Sequence, residues 1–193
     1  MDYKEIEKKM VAYKGPKIGF VLSGGGIGVA QLATVIGASK LIHSITIPYS
    51  YNESKRFILE GWRRFESNRS AIDASIEYAA HAVSERGAEL LATAGSNIWG
   101  APQQDDPCAT IVCTAATTTS RYRQGDNHAW IGVVNPYRSG PGENKFFHLE
   151  LSKLSEDDHR TAGAAYVAWK RRAEDREISD FIFNQVFEVI GRC

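Results

Sequence analysis

KIGFVLSGGG (17–26) is the segment on which the reading of the whole chain turns. Its first part, KIGFVL (17–22), is a short run rich in Ile, Phe and Val, the pattern of a strand buried in a parallel sheet. The run ends at Ser23-Gly24-Gly25-Gly26, and IGVAQLATVIGASKLI follows. That stretch reads as a helix with Val29, Leu32, Ala33 and Ile36 on one face. A turn between strand and helix offers unpaired backbone N–H groups at a positive helix end, so an anion can be held there. Glycine permits the close backbone approach that such contact needs. The alternative is a tight strand–helix turn without a ligand.

Working outward, residues 1–16 are polar and alternate in charge, the pattern of an exposed helix or tail stopped by Gly15-Pro16. HSITIPYS (43–50) reads as a second strand, and the helical stretch after it has Asn52 as a cap candidate. Residues 67–92 read as one long helix, with Ser70 as N-cap and Ile72, Ile76, Ala79, Ala80 and Val83 as its apolar stripe. GSNIWGAPQQDDP (95–107) and NPYRSGPGEN (135–144) are loops by composition. ATIVCT (109–114), HAWIGVV (128–134) and KFFHLELSK (145–153) read as strands. From about Glu156 to Ile190 the chain reads as helical, with Ile178, Phe181, Ile182, Val186, Val189 and Ile190 as its stripe. Strands alternating with helices predict a single three-layer α/β/α domain over 17–193, behind a polar extension at 1–16.

Composition narrows the function. Twenty-three basic residues balance twenty-three acidic ones over 193 residues. A neutral chain does not fit a sequence-independent nucleic-acid binder or an anionic-membrane binder. No apolar run approaches the roughly 20 residues that cross a bilayer, and MDYKEIEKKM does not read as a secretory signal. Cys108, Cys113 and Cys193 form no C-x-x-C pair, which predicts free thiols and a cytoplasmic protein. His43, His81, His128, His148 and His159 are scattered without metal-ligand spacing, so no zinc or other metal is expected.

Three motifs can be tested against the glycine turn. The dinucleotide fingerprint fails because its last glycine would be Val29 or Gln31. No Gly-Lys-Ser/Thr follows for a Walker loop. FVLSGGGIGVA is similar to the oxyanion loop of patatin-like lipases. The nucleophile elbow those enzymes require is represented only by Gly37-Ala38-Ser39-Lys40-Leu41, without its closing glycine.

The order of several short motifs resembles the CinA C-terminal domain family, whose characterised bacterial members are nicotinamide-nucleotide amidohydrolases. Gly25-Gly26 takes the place of the paired glycines in that family's E-S-C-T-G-G motif. Ile36-Gly37-Ala38-Ser39 stands for its P-G-S/A-S element, and Tyr49-Ser50 falls at the family spacing. Asn52-Glu53-Ser54-Lys55 resembles N-E-A-K, with one residue inserted before it. Residues 113–134 resemble the C-T-A-A-L…G-x-H-R-A-x-V-A stretch of a divergent branch, with His128 on the histidine. RRAEDREISDFIFNQV resembles that branch's closing segment, so the likeness spans about 17–190.

The resemblance implies an α/β/α domain with a small-nucleotide pocket and no cofactor. The pocket would be formed by Ser23, Gly24, Gly25, Gly26, Tyr49, Thr114, Ala115 and Arg160. In active members a serine attacks the carboxamide carbon of nicotinamide mononucleotide, a lysine and a tyrosine assist proton transfer, and ammonia leaves. Carried onto this chain, the catalytic candidates are Ser23, Tyr49 and Lys55. Family analogy also implies a homo-oligomer, most simply a two-fold dimer.

Departures cut against activity. With the glycines aligned, the family serine falls on Leu22, its cysteine on Ser23 and its threonine on Gly24. The paired Thr-Gly of the second loop becomes Thr114-Ala115. Either Ser23 substitutes through a shifted loop, or the pocket persists and the amidase reaction is weak or lost. Bland readings stand beside these: Tyr49 as a strand-end aromatic, Lys55 as a solvated helix residue, and Arg160 paired with Asp157 or Glu156. The run from Arg171 to Glu177 reads as a wet helix face, and Cys113 as a buried, inert thiol.

Overall fold

The computed structural model describes residues 3–99, 108–134 and 144–190. Five strands form one sheet in the order β2-β1-β3-β4-β5: β1 (Ile18–Ser23), β2 (Ile42–Thr46), β3 (Ala109–Ala116), β4 (Asn127–Val134) and β5 (Lys145–Leu151). β1 runs parallel to both of its neighbours, as its apolar run predicts. β4 and β5 add antiparallel, so the sheet is mixed. No helix separates β3 from β4, and a polar connection alone returns the chain antiparallel.

The pleat sorts β1 into two cores. Ile18, Phe20 and Leu22 face one side, with Val29, Leu32, Leu41, Ile178, Ile182 and Val186. Val21 faces the other, with Ile58, Tyr78, Leu90, Leu91 and Trp99. The first layer is built by α1 (Tyr3–Ala12), a 3-10 helix (Ile27–Thr34), α2 (Ala38–Leu41) and α7 (Ala164–Ile190). The second is built by α3 (Tyr51–Arg63), α4 (Asn68–His81) and α5 (Glu85–Trp99); α6 (Glu156–Thr161) precedes α7. These are the three layers of an α/β/α domain.

α1 is tied to the core, because Met10 and Tyr13 are buried in the first layer and Tyr13 Oη donates to the Pro16 carbonyl at 2.6 Å. The helix read after the glycine turn is instead a 3-10 segment followed by the short α2. Gly26 (φ +77°) and Gly37 (φ +87°) bracket it, and left-handed glycines interrupt α-helical propagation. Ser50, not Asn52, caps α3 by accepting from the Glu53 N–H at 3.2 Å. Ser67, not Ser70, caps α4 by accepting from the Ser70 N–H at 3.1 Å. In both cases the acceptor belongs one residue before the helix and reaches its third amide.

The long helix read over 67–92 is two helices, and its stripe is out of phase. Ile72 and Ile76 are exposed, whereas Ala71, Ala74, Ser75 and Tyr78 are buried. Small side chains face inward here because the layer is tightly packed: a Cβ on Gly61 of α3 would come within 2.5 Å of the Ala94 backbone of α5. α5 continues through Trp99, so residues 95–99 of the expected loop are helical, and the rest of that loop lies outside the described residues. Of the loop read over 135–144, all but Asn144 likewise lies outside them. No helix among the described residues is long and apolar enough to cross a membrane.

Candidate functional site

The chain leaves β1 for β2 along one face of the sheet and reaches β3 along the other. The sheet order therefore diverges at the carboxyl end of β1, where open α/β sheets bind their ligands. Ser23–Gly26, the Thr114–Thr118 end of β3 and the start of α3 converge at this edge. Ser23 Oγ lies 3.4 Å from Ser54 Oγ, and Thr117 Oγ1 donates to the Gly24 carbonyl at 3.4 Å.

The two faces of β1 separate the catalytic candidates. Leu22, where the family serine would fall, is fully buried in the first layer. Ser23 points to the opposite side, half-buried, toward Ser54. Ser54 is itself buried, with Oγ near the carbonyls of Ser50 (3.4 Å) and Pro48 (3.5 Å). A hydroxyl beside carbonyl acceptors is a hydrogen donor, not a base.

The glycines are shaped by this chain's own packing. Gly24 has φ +86°, and a Cβ there would collide with the Ala115 carbonyl oxygen. Gly25 and Gly26 sit under Ile178 and Ile182 of α7, whose Cδ1 atoms would be 2.7 and 2.8 Å from an added Cβ. The amides at the start of the 3-10 helix are also engaged. Ile27 N–H donates to Asp175 Oδ1 at 2.9 Å, and Gly28 N–H donates to Asp175 Oδ2 at 3.2 Å. A carboxylate from α7 thus stands where the glycine turn was read to hold a ligand anion. Asp175→Ala should destabilise the fold by about 1–2 kcal/mol, the usual cost of losing a capping carboxylate, measurable by urea unfolding. An unchanged midpoint would show that these amides do not need the carboxylate.

The other sequence-derived positions scatter around the edge. Tyr49 is 75% exposed. Lys55 is half-buried, and its Nζ lies over the Tyr51 ring, 5.5 Å from its centre. Thr114 is buried and its hydroxyl donates to the Ala82 carbonyl, so it is committed to holding β3 against the α4–α5 turn. Ala115 is buried against the glycine turn. Arg160 is exposed and pairs with Asp157, the bland alternative, and such surface pairs contribute little. His128 has Nε2 3.1 Å from the Val83 carbonyl and Nδ1 3.2 Å from the Asp126 carbonyl. Ser39 lies in α2, which follows a 3-10 helix rather than a strand, so the strand-to-helix elbow of a patatin-like hydrolase is not formed there.

Cys113 is fully buried, and burial, reinforced by the negative charge of Asp175, pushes its thiol well above the ordinary range. Such a thiol is inert. Among the described residues, no group of three His, Cys, Asp or Glu side chains could hold a metal ion.

Sequence reasoning missed Glu174 and Asp175 by reading residues 171–177 as a wet face. Glu174 is 1% exposed. It accepts from the Thr118 N–H (2.6 Å), Thr118 Oγ1 (2.7 Å) and Asn127 Nδ2 (2.9 Å), with Lys170 Nζ at 3.7 Å. The signal was present: extending the stripe Ile182–Ile178 back one turn lands on Glu174.

The fold is that of a three-layer α/β protein with a diverging strand order at β1. Solved structures similar to this fold include CinA-superfamily proteins. The chain superposes on one from Escherichia coli (TM-score 0.53, 14% identity, covering 89% of this chain and 85% of that one). It superposes also on a CinA-superfamily protein from Klebsiella pneumoniae (TM-score 0.51, 13% identity, 93% and 99% covered). A competence/damage-inducible protein, CihA, from Agrobacterium tumefaciens gives a TM-score of 0.54 at 13% identity, with 93% and 95% covered. No protein-family model matches the sequence, and no curated protein does. This chain therefore has the CinA-superfamily fold.

Proposed function

We propose that this protein is CinA-like, with a small-nucleotide site at the carboxyl edge of β1 and β3, and that its nicotinamide mononucleotide deamidase chemistry is weak or lost. The observation that carries this reading is the pairing of Ser23: its hydroxyl meets the Ser54 hydroxyl at 3.4 Å, and among the described residues no imidazole, amine or carboxylate is hydrogen-bonded to either. An attacking hydroxyl needs a base within hydrogen-bond reach. Leu22 offers no nucleophile and is buried on the other face. Asp175, already on the Ile27 and Gly28 amides, adds negative charge where an oxyanion or phosphate would need donors.

The competing reading, an active amidohydrolase using Ser23, draws on one feature: Lys55 follows Ser54 directly and is half-buried. A reorientation bringing its amine to the serine pair would supply the missing base. Ammonia release from nicotinamide mononucleotide by the purified protein, beside Ser23→Ala, distinguishes the two. We expect no turnover above background. Robust turnover abolished by Ser23→Ala would overturn the reading and make Ser23 the nucleophile. Thermal shifts with nicotinamide mononucleotide, its acid product, adenosine nucleotides and ADP-ribose test the pocket separately. Stabilisation by at least one phosphorylated nucleoside is expected, and none at millimolar concentration would reduce the likeness to one of fold.

A further inference from the structure

We propose that a hollow at the carboxyl end of β3 binds the diphosphate group of a ligand. Arg121, Arg123, Lys153 and His159 line it together with Thr117 and Tyr122, and no aspartate or glutamate is among its lining residues. Arg121, Arg123 and Lys153 form no ion pair with the described residues. The Arg121 side chain has no hydrogen-bond partner among them either; only its carbonyl is engaged, by Thr119 Oγ1. Its guanidinium therefore keeps a full fork of donors. Three cations gathered at one hollow without a counter-charge repel one another, and a bound anion relieves that repulsion.

Two of the cations are already held in place. Arg123 Nη2 donates to the Asp126 carbonyl at 3.0 Å and to Asn127 Oδ1 at 3.1 Å. Asn127 is fixed in turn by Glu174, so this guanidinium is anchored to a buried network while its other N–H groups stay available. Lys153 Nζ donates to the Gly125 carbonyl at 2.6 Å and lies over the Tyr122 ring, 4.6 Å from its centre, with two N–H groups left to give. Side chains ordered before binding lose less entropy on it. Asp157 pairs with Arg160, Asp158 accepts from the Ser155 hydroxyl, and Asp126 is exposed and does not line the hollow. Charge count selects the ligand: three cations match the roughly three negative charges of a diphosphate better than the about 1.5–2 of a monophosphate. Thr117 is the wall shared with the glycine turn, since its Oγ1 donates to the Gly24 carbonyl at 3.4 Å. A nucleoside diphosphate at the edge of β1 and β3 would thus place its phosphates here, not on the Ile27 and Gly28 amides that Asp175 holds. Only this nucleoside half rests on the function proposed above; the diphosphate site stands on its own residues.

Isothermal titration calorimetry of the whole chain with inorganic pyrophosphate, inorganic phosphate, adenosine monophosphate and adenosine diphosphate tests both halves. Pyrophosphate should bind once per chain, about tenfold or more tighter than phosphate. Arg121→Ala should weaken pyrophosphate by about tenfold and Arg121→Glu by about a hundredfold, first through a lost charged donor and then through repulsion. Arg121 is exposed and its side chain bonds nothing among the described residues, so circular dichroism should show native folding in both variants. Arg69→Ala, which removes an exposed charge of α4 outside the hollow, should leave binding unchanged. Adenosine diphosphate should bind more tightly than either pyrophosphate or the monophosphate. The proposal is overturned by pyrophosphate that does not bind at millimolar concentration or binds no tighter than phosphate. It is overturned equally by binding that Arg121→Glu leaves unchanged or that Arg69→Ala weakens as much. Pyrophosphate binding lost in Arg121→Glu, with neither nucleotide bound, upholds the diphosphate site and overturns the nucleotide reading alone.

Discussion

Glu174→Ala should lower the stability of this domain by about 3–5 kcal/mol, the usual cost of breaking a buried, hydrogen-bonded charge site from one side. The carboxylate is 1% exposed and receives three hydrogen bonds, two from Thr118 and one from Asn127. Asn127 Nδ2 also donates to Thr118 Oγ1 at 3.0 Å, and Asn127 Oδ1 accepts from Arg123 Nη2 at 3.1 Å. Removing the acceptor takes that partner from a backbone N–H, a hydroxyl, an amide and the Lys170 amine, of which the amine keeps Ser152, and unmet donors are costly. Glu174→Gln should cost less but remain damaging. One of its oxygens becomes an NH2 group, and every neighbour at 2.6–2.9 Å is already a donor. Asn127→Ala should then be much milder in the Glu174→Ala background than alone, because both act on one network. Urea melts of the four proteins give the answer, and additive losses would show that the network is not a unit. Because Glu174 joins α7 to the ends of β3 and β4, this is also a test of what positions α7 beside the glycine turn.

The same region shows what could be read from the sequence and what could not. KIGFVL yielded an inner parallel strand because a run buried on both faces needs no partner to be recognised. The serine–glycine turn after it was legible for the same reason. Its occupancy was not, since the Asp175 carboxylate that meets the Ile27 and Gly28 amides comes from far along the chain. Residues 171–177 misled because charge predicts solvent, whereas Glu174 is buried by its partners. Ile72 and Ile76 misled in the opposite sense: they drew the stripe of α4 toward themselves, while alanines fill the side that packs on α3 and α5. The pairing of Ser23 with Ser54 likewise depends on the approach of α3 to β1. The family likeness brought Tyr49, Lys55 and Thr114 to one edge on paper. In the fold Tyr49 is solvent-exposed, Lys55 lies over Tyr51, and the Thr114 hydroxyl is spent on a carbonyl.

Gly24→Ala should cost about 3 kcal/mol and lower the melting temperature by about 10 °C, with losses of this kind in a domain of this size running at about 2–4 °C per kcal/mol. Two contributions add. Gly24 has φ +86°, and placing an L side chain in that region costs about 1–2 kcal/mol. The new Cβ would also strike the Ala115 carbonyl oxygen, which is backbone of β3 and has no rotamer in which to escape. Overpacking of that kind costs about 1–3 kcal/mol. Gly125 separates the two terms. Its φ is +79°, yet nothing lies within 4 Å of a Cβ there, so Gly125→Ala carries the dihedral cost alone. Differential scanning calorimetry should place Gly24→Ala well below Gly125→Ala, with the difference reporting the closeness of β1 to β3 at their carboxyl ends. Equal losses would mean that the strands part there and leave room above Gly24. In that case the glycine would serve chain direction only, and the edge would be open to a ligand approaching the backbone directly.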